Sequence, residues 1–160
     1  MRTAIFKDPV LGRVAVRRLN IDGDRQADLT VHGGPDKAVY VYDLSGYDYW
    51  RKALGRELPF GQFGENLTVE GMPETEVSME DIYRIGSALF QVSQPRSPCG
   101  KLAMKMELPR FGRDFIASGR TGFYLRVLEE GEIGAGDSIE RVSREPGAPT
   151  VVQVTREMYG

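Results

Sequence analysis

The chain has 160 residues, enough for one domain that buries roughly two-thirds of its unfolded surface. Its 21 basic and 23 acidic residues leave a net charge of −2, which gives no reason to expect nucleic acid as a partner. The single cysteine excludes an internal disulfide. No apolar run reaches the length of a membrane span and no charged-then-apolar leader precedes the first predicted strand. We therefore expect a soluble, cytoplasmic protein with no membrane partner.

Short strands dominate the first half of the predicted fold. Apolar and polar residues alternate over 13–19, which is typical of a strand with one buried face. The run at 38–42 is β-branched and aromatic, so it predicts a strand buried on both faces. Helical spacing of large side chains predicts one short helix over 45–54. A further strand is predicted over 65–69.

A hairpin and two helices are predicted next. The segments 81–85 and 88–93 flank Gly86-Ser87, a two-residue connection that is a strong hairpin signal. Residues 102–118 carry apolar side chains at helical spacing, and Pro109 interrupts them. Because proline breaks a helix interior, two short helices are expected there.

The last third of the chain adds two more strands, at 123–128 and 134–142. Residues 149–160 resemble a helix cap followed by its first turns, with nothing for that helix to pack on. Seven or so short strands with few helices favour a β-barrel over a parallel α/β sheet.

The only cysteine, Cys99, lies in a stiff, cationic loop after a predicted strand. Pro95 and Pro98 restrict the backbone on either side of Arg96. Arg96 and Lys101 place positive charge nearby, which lowers the pKa of a thiol and favours the thiolate that attacks electrophiles or binds metal. The alternative is a buried, inert thiol that only fills space.

Three further sites have both a functional and a structural interpretation. The glycine pair Gly33-Gly34 could turn backbone N–H groups toward an anion, and His32 could donate to an oxyanion or shuttle a proton; the alternative is a tight connection that the histidine caps. Asn66 could orient a ligand or could satisfy backbone groups in a turn. Arg96 could clamp a phosphate or carboxylate, or could be an ordinary surface arginine.

The residue types exclude several familiar sites. One histidine and one cysteine cannot form a closed zinc site, although a lone thiolate suits a metal that arrives with its own chelator. There is no P-loop, no Gly-x-Gly-x-x-Gly and no local signature of a Ser-His-Asp triad. A bare reactive-thiol protein is a further alternative, but a second cysteine to resolve a sulfenate is lacking.

Three segments, taken in order, resemble the MOSC domain, the family named for the C-terminal part of molybdenum cofactor sulfurases. They are HGGPD at 32–36, FGENL at 63–67 and QVSQPRSPC at 91–99. The resemblance covers residues 13–144, nearly the whole chain. It is greatest to the YiiM-like branch, which is associated with resistance to 6-hydroxylaminopurine.

The resemblance implies a mostly β domain with a MOSC-type β-barrel, similar to the pyruvate-kinase β-barrel, and a few short helices. The domain would cover 1–145, with the usual first strand before residue 4 nearly absent. Residues 146–160 would be a tail, where the YiiM-like branch continues into a small helical domain. An unpaired barrel edge favours pairing with a second copy of the chain, so a homodimer is among the expectations.

The resemblance also implies binding of the molybdenum cofactor (molybdopterin), with Cys99 as the molybdenum ligand and catalytic group. The residues expected to hold the cofactor are His32, Gly33, Gly34, Asn66 and Arg96. YiiM-like proteins are associated with reducing N-hydroxylated bases to amines, which requires a small N-hydroxylated substrate and an external electron-donor reductase. The resemblance also brings in pyridoxal phosphate as a second candidate cofactor. The alternative is a cofactor-binding or sulfur-carrier module that bears a persulfide on Cys99 and has no reductase activity of its own.

Overall fold

The computed structural model describes residues 5–6, 13–17, 35–97 and 100–159. The strands are β1 (Ile5–Phe6), β2 (Val14–Val16), β3 (Val39–Asp43), β4 (Leu67–Val69), β5 (Ile82–Ile85), β6 (Ala88–Pro95), β7 (Phe123–Glu129), β8 (Gly131–Ile133) and β9 (Ile139–Ser143). The helices are α1 (Leu44–Leu54), α2 (Gly100–Met106), α3 (Phe111–Ser118) and α4 (Val151–Tyr159), and a 3-10 turn covers Pro35–Lys37.

Seven of these strands form one sheet in the order β1-β4-β3-β7-β6-β5-β9, and β2 pairs with β8 in a second, two-stranded sheet. All neighbours are antiparallel except β3 and β4. The large sheet curls into a half-barrel, and the helices are few and short. The predicted mostly β, barrel-like class is therefore confirmed. Among the described residues, no helix has the length and apolar composition needed to cross a membrane.

The parallel pair β3–β4 is joined by helix α1, the usual way to connect parallel neighbours. All five residues of β3 are buried, as its β-branched and aromatic sequence predicts. Asp43 caps the helix by accepting from the Ser45 backbone N at 3.0 Å, and it also accepts from the Met72 N at 2.7 Å. Gly55 ends the helix in the left-handed region, with φ of +63°.

The predicted hairpin is confirmed as β5–β6, with Gly86 in the left-handed region at φ of +56°. A side chain at Gly86 would also meet the Glu132 carbonyl oxygen, 2.2 Å from an ideal Cβ position. Glycine is therefore required by both the turn and the close approach of β8. The two predicted helices on either side of Pro109 are confirmed as α2 and α3.

The buried side chains fall into two clusters. One lies inside the curled sheet and contains aliphatic residues with Tyr83, Phe90 and Phe123. The other is rich in aromatic residues and packs α1, α2 and α3 against the outer side of β3; its members are Tyr40, Tyr42, Tyr47, Trp50, Leu58, Phe63, Leu102, Met106, Phe111 and Phe115. We call this second group the aromatic cluster.

The expectation that the last helix has nothing to pack on was wrong. Thr150 and Gln153 form a capping box, with each backbone N donating to the other side chain, at 2.8 and 3.2 Å. Val151 and Thr155 are buried on one face of α4, and Val151 N donates to the Val77 carbonyl at 2.9 Å. The sequence indicated the helix, but the group that its first turn contacts, the Val77 carbonyl, comes from far earlier in the chain, so local spacing could not show what the helix packs on.

Several strand boundaries also differ from the prediction. Strand β4 begins at Leu67 rather than at residue 65, because the side chains of Glu65 and Asn66 bind backbone groups outside the ladder. Strand β8 was not predicted; its three residues pair with β2. Of the predicted strand over 13–19, the structure describes 13–17 and forms β2 over its centre.

Candidate functional site

Of the residues expected to form the site, Asn66 and Arg96 are described, whereas His32, Gly33, Gly34 and Cys99 lie outside the described residues. Asn66 and Arg96 belong to two separate motif segments, 30 positions apart in the sequence. The fold brings both of them to one residue, Tyr40 on β3. The contacts around Tyr40 define the part of the candidate site described here.

The guanidinium of Arg96 is held in a defined orientation. Arg96 follows Pro95, the last residue of β6, which pairs with Phe123 on β7. Its Nη1 donates a hydrogen bond to the Phe63 carbonyl, and its Cζ lies 4.6 Å from the centre of the Tyr40 ring. A cation over an aromatic face is stabilised by the ring quadrupole. The side chain is only partly buried, so its positive charge is fixed without being sealed in the core.

Asn66 bridges the end of β4 to β3. Its Oδ1 accepts from the Tyr40 backbone N at 2.6 Å, and its own backbone N donates to the Tyr40 carbonyl at 2.9 Å. This contact is the structural role that the sequence left open for Asn66, that of satisfying backbone groups. A role in orienting a ligand stays a prediction.

Tyr40 links these contacts to β7, and sequence reasoning missed it. Its hydroxyl donates to the Thr121 carbonyl at 2.6 Å, and its ring packs on Tyr124 at 5.2 Å between centres. Burial raises the pKa of the Tyr40 phenol, and the nearby Arg96 charge only partly opposes the shift. The phenol therefore stays protonated and serves as a rigid support. Its position in a fully buried strand gave no sign of this role.

Glu65 is a buried carboxylate beneath the Arg96 contact, with 2% of its surface exposed. Its charge is satisfied by four different donors, two hydroxyl groups and two backbone N–H groups. Oε2 accepts from the Tyr47 hydroxyl, from Thr68 Oγ1 at 2.8 Å and from Gly61 N at 3.2 Å, and Oε1 accepts from Phe63 N at 3.3 Å. The carboxylate thus fills the inside of the turn that carries the Phe63 carbonyl.

The turn itself, residues 59–64, is held from several sides. Gln62 N donates to the Pro59 carbonyl at 3.1 Å and Gly64 N to the Gly61 carbonyl at 3.0 Å. Gly61 and Gly64 both have positive φ, +87° and +83°, a region that favours glycine. The Lys105 ammonium donates to the Gly61 carbonyl at 3.0 Å, so two cations, Lys105 and Arg96, bind carbonyls of this one turn.

Tyr47 connects the turn to helix α1. Its hydroxyl donates to Glu65 and accepts from Gln62 N at 3.1 Å. Burial raises the pKa of the Tyr47 phenol, and the neighbouring Glu65 charge raises it further. Tyr47 is fully buried in the aromatic cluster, with its ring 5.0 Å from that of Phe63. The aromatic cluster therefore supports the wall of the site.

The segments that flank the undescribed motif residues are also anchored. Asp36, at the end of the HGGPD segment, accepts from Arg126 Nε at 3.0 Å, and its carbonyl accepts from the Ser93 hydroxyl. On the other side, the Ser97 and Tyr159 hydroxyls share a hydrogen bond, which ties the loop before Cys99 to the end of α4. Asp36 is therefore held against the sheet, and Ser97 against the last helix.

The described part of the site can bind an anion or an oxygen-rich ligand through an oriented guanidinium. In the ranges that the structure describes, no group of three His, Cys, Asp or Glu side chains is placed to hold a metal ion. A buried acid with a neutral pKa, Glu74, contacts Gly122 N at 2.7 Å rather than the Arg96 wall. The charged groups that contact the 59–64 turn are Arg96, Lys105 and Glu65.

The large sheet is a half-barrel in which Asn66 and Arg96, from two of the motif segments, both contact Tyr40. The MOSC domain profile matches residues 28–140, and the chain belongs to this family. A crystal structure of YiiM from Geobacillus stearothermophilus superposes with a TM-score of 0.83 and 40% sequence identity, covering 94% of this chain and 71% of that one.

Two curated relatives extend the comparison. The uncharacterized protein YflK of Bacillus subtilis is 47% identical over 144 residues, 90% of this chain and 65% of YflK. A protein of Gibberella moniliformis named "Reductase" is 35% identical over 158 residues, 96% of this chain but 28% of that protein. The chain therefore spans less than two-thirds of the length of either relative.

Proposed function

We propose that this MOSC domain binds a molybdenum cofactor, molybdopterin, and acts as an oxidoreductase that reduces N-hydroxylated bases or related compounds to amines. Family membership and the reductase name of the Gibberella moniliformis relative support this class of function. The observation that carries the proposal is the oriented Arg96 guanidinium, three residues before the only cysteine.

The residue types fit such a cofactor. A pterin cofactor with a phosphate needs a cation and N–H donors, and Arg96 offers a planar set of donors suited to phosphate oxygens. A single thiolate is enough for a metal that brings its own chelator, and the chain has one cysteine and one histidine. In this proposal Cys99 binds molybdenum. The residues that hold the rest of the cofactor or the substrate oxygens are His32, Gly33, Gly34, Asn66 and Arg96.

The chemistry divides between the cofactor and the protein. When bound, the cofactor supplies a two-electron reduction, in which an external reductase provides the electrons, two protons are consumed, the N–O bond breaks, and an amine and water leave. Arg96 would neutralise anionic oxygens, and the Phe63 carbonyl and Tyr40 ring keep its guanidinium from turning away. His32 would donate to or accept from the substrate oxygen near neutral pH.

The decisive experiment compares the wild type with Cys99→Ala and Cys99→Ser after purification from a host that makes molybdenum cofactor. We expect the wild type to retain molybdenum and pterin and to reduce benzamidoxime with an artificial electron donor. Both variants should fold normally but lose metal and activity, since a hydroxyl is a harder and poorer ligand for molybdenum than a thiolate. Full reductase activity in Cys99→Ala would overturn this assignment.

Met104→Ala is the matched control, because Met104 is on α2, close to Cys99 in sequence, and is 78% exposed. It should leave metal content and activity unchanged. The same preparations are assayed for cyanolysable sulfur. Wild-type protein that carries cyanolysable sulfur on Cys99 but neither molybdenum nor reductase activity, even after reconstitution with cofactor, would be a sulfur carrier, and the proposed reaction would be wrong.

A further inference from the structure

We infer that Glu65 is a positioning residue for Arg96: its buried carboxylate builds the turn whose carbonyl fixes the guanidinium. The inference rests on the proposed function only for the identity of the ligand that Arg96 would meet. The orientation of Arg96 is a property of the free protein, so it is measurable without any ligand.

The first step concerns the backbone N–H groups of the turn, for which Glu65 is the hydrogen-bond acceptor. Two of its four donors, Gly61 N and Phe63 N, are backbone groups of the turn and point inward. An ionised carboxylate has two oxygens that only accept, so it satisfies all four donors at once. Glu65 is 2% exposed, so water has little access to replace a lost acceptor. A buried N–H without a partner is costly, and the turn would move to avoid it.

The second step leads from the turn to Arg96. Phe63 donates its backbone N to Glu65 and offers its carbonyl to Arg96, so its backbone is fixed on both sides. Its ring is buried in the aromatic cluster, 4.4 Å from the Tyr42 ring and 5.0 Å from the Tyr47 ring. The side chain therefore cannot follow a backbone shift without opening the cluster. Displacement of the turn withdraws the carbonyl from the guanidinium.

The third step explains why an amide cannot replace the carboxylate. In Glu65→Gln one acceptor oxygen becomes an NH₂ donor. If the NH₂ takes the place of Oε1 it faces Phe63 N–H, donor against donor. If it takes the place of Oε2 it faces Gly61 N–H and the two hydroxyls. Either orientation of the amide places a repulsive pair inside the turn.

The test measures the reactivity of individual arginines toward phenylglyoxal, with peptide mapping by mass spectrometry on the intact protein. Glu65→Gln should raise the labelling rate of Arg96 about tenfold, the change expected when one hydrogen bond to a charged group is lost. Arg126 and Arg144 are held by other carboxylates and serve as internal references within the same sample. An unchanged Arg96 rate in folded Glu65→Gln overturns the inference.

Glu74→Gln is the matched control. It makes the same chemical change at a carboxylate that is 3% exposed and contacts Gly122 N instead of the 59–64 turn. Arg96 labelling should equal that of the wild type. If Glu65→Gln is insoluble, Tyr47→Phe replaces it, since this change removes one donor to Glu65 and keeps the ring. Tyr47→Phe should raise Arg96 labelling in the same direction by a smaller factor, and no rise would contradict the inference.

A double-mutant cycle separates positioning from a general structural role. Glu65→Gln should lower the molybdenum content of purified protein in the wild-type background but have no further effect in Arg96→Ala, because Glu65 acts through Arg96. Equal losses in both backgrounds would mean that Glu65 only stabilises the fold. If the wild type itself retains no molybdenum, the proposed function fails, while the labelling result still decides the role of Glu65.

Discussion

Two buried carboxylates, at different places in this domain, are each satisfied by several donors. Asp81, before β5, accepts from Arg144 Nε at 2.9 Å and Nη2 at 2.7 Å, from Ser78 N and from the Tyr83 hydroxyl. Within the part of the chain that the structure describes, Glu65, before β4, accepts from hydroxyl and backbone N–H groups, and Arg96 donates to the carbonyl of Phe63, whose backbone N donates to Glu65. The difference is therefore where the positive charge lies.

The position of the positive charge distinguishes the structural ion pair at Asp81 from the candidate binding site at Arg96. At Asp81 the guanidinium and the carboxylate neutralise each other, and burial of Asp81 is outweighed by Arg144 and other donors, so the pKa of Asp81 is below its usual range. At the 59–64 turn the Glu65 carboxylate accepts from hydroxyl and backbone N–H groups, and the Arg96 guanidinium contacts the Phe63 carbonyl and the Tyr40 ring. In the proposed function the charge of Arg96 faces anionic oxygens of the cofactor.

The largest effect is expected from breaking the structural ion pair. Asp81→Ala should lower the free energy of unfolding by about 2–4 kcal/mol, because the Ser78 N and the Tyr83 hydroxyl lose a buried acceptor and Arg144 loses its counter-charge. Asp81 itself is fully buried, although the Arg144 side chain is 33% exposed, so the lower end is expected. Urea unfolding followed by tryptophan fluorescence measures the change. Arg96 labelling by phenylglyoxal should not change.

The exposed pair Arg84–Glu129, with 3.5 Å between charged atoms, is the control for this prediction. Arg84→Ala should change stability by less than about 1 kcal/mol, as is usual for a solvent-exposed pair. A loss of that small size in Asp81→Ala would remove the distinction drawn between the two carboxylates.

The next effect concerns the cation of the site. Arg96→Ala should weaken cofactor binding by about 1.5–3 kcal/mol, the scale of a lost charge-assisted hydrogen bond. Stability should fall by only about 1 kcal/mol, mainly through loss of the contact with Tyr40. Cofactor content after dialysis measures the first effect and urea unfolding the second. Activity per bound molybdenum should remain.

Arg96→Lys sharpens this prediction, because lysine keeps the charge but loses the planar donor set and the stacking. Its cofactor retention should lie between those of the wild type and Arg96→Ala. Retention at the wild-type level in Arg96→Ala would show that the charge of Arg96 is not directed at the cofactor.

The sequence predicts those parts of the fold that depend on neighbouring residues. Gly86-Ser87 defines a hairpin and Pro109 separates two helices, because each acts on its own backbone. The role of Glu65 was missed because it depends on Tyr47, 18 positions earlier, and on burial that a strand-like pattern does not reveal. Tyr40 was missed for the same reason: its neighbour Arg96 comes from the loop after β6, which is distant in sequence.

A third buried carboxylate, Glu74, differs from both Asp81 and Glu65. No ion pair to it is found within the described part of the chain. Its Oε2 accepts from Gly122 N at 2.7 Å, and the side chain is 3% exposed. Burial raises the pKa of Glu74 to about 7, and backbone N–H groups only partly compensate. Unlike Asp81, this carboxylate should destabilise the fold when it is ionised.

The last effect depends on pH, and its sign follows from the raised pKa of Glu74. Below about pH 4.5 Glu74 is protonated in both states and contributes no penalty. Between about pH 4.5 and 7 the unfolded chain ionises first, so the folded state loses stability as the pH rises, and the loss is complete above about pH 7. Glu74→Gln removes this titration and can keep the bond to Gly122 N through its amide oxygen. At pH 8 the variant should be more stable than the wild type by about 1–2 kcal/mol, which is less than the roughly 3 kcal/mol that the full pKa shift corresponds to. At pH 4 the two proteins should be equally stable. Thermal unfolding of both proteins across this range provides the measurement, and a Tm difference that is the same at pH 4 and pH 8 would show that Glu74 does not carry a buried charge.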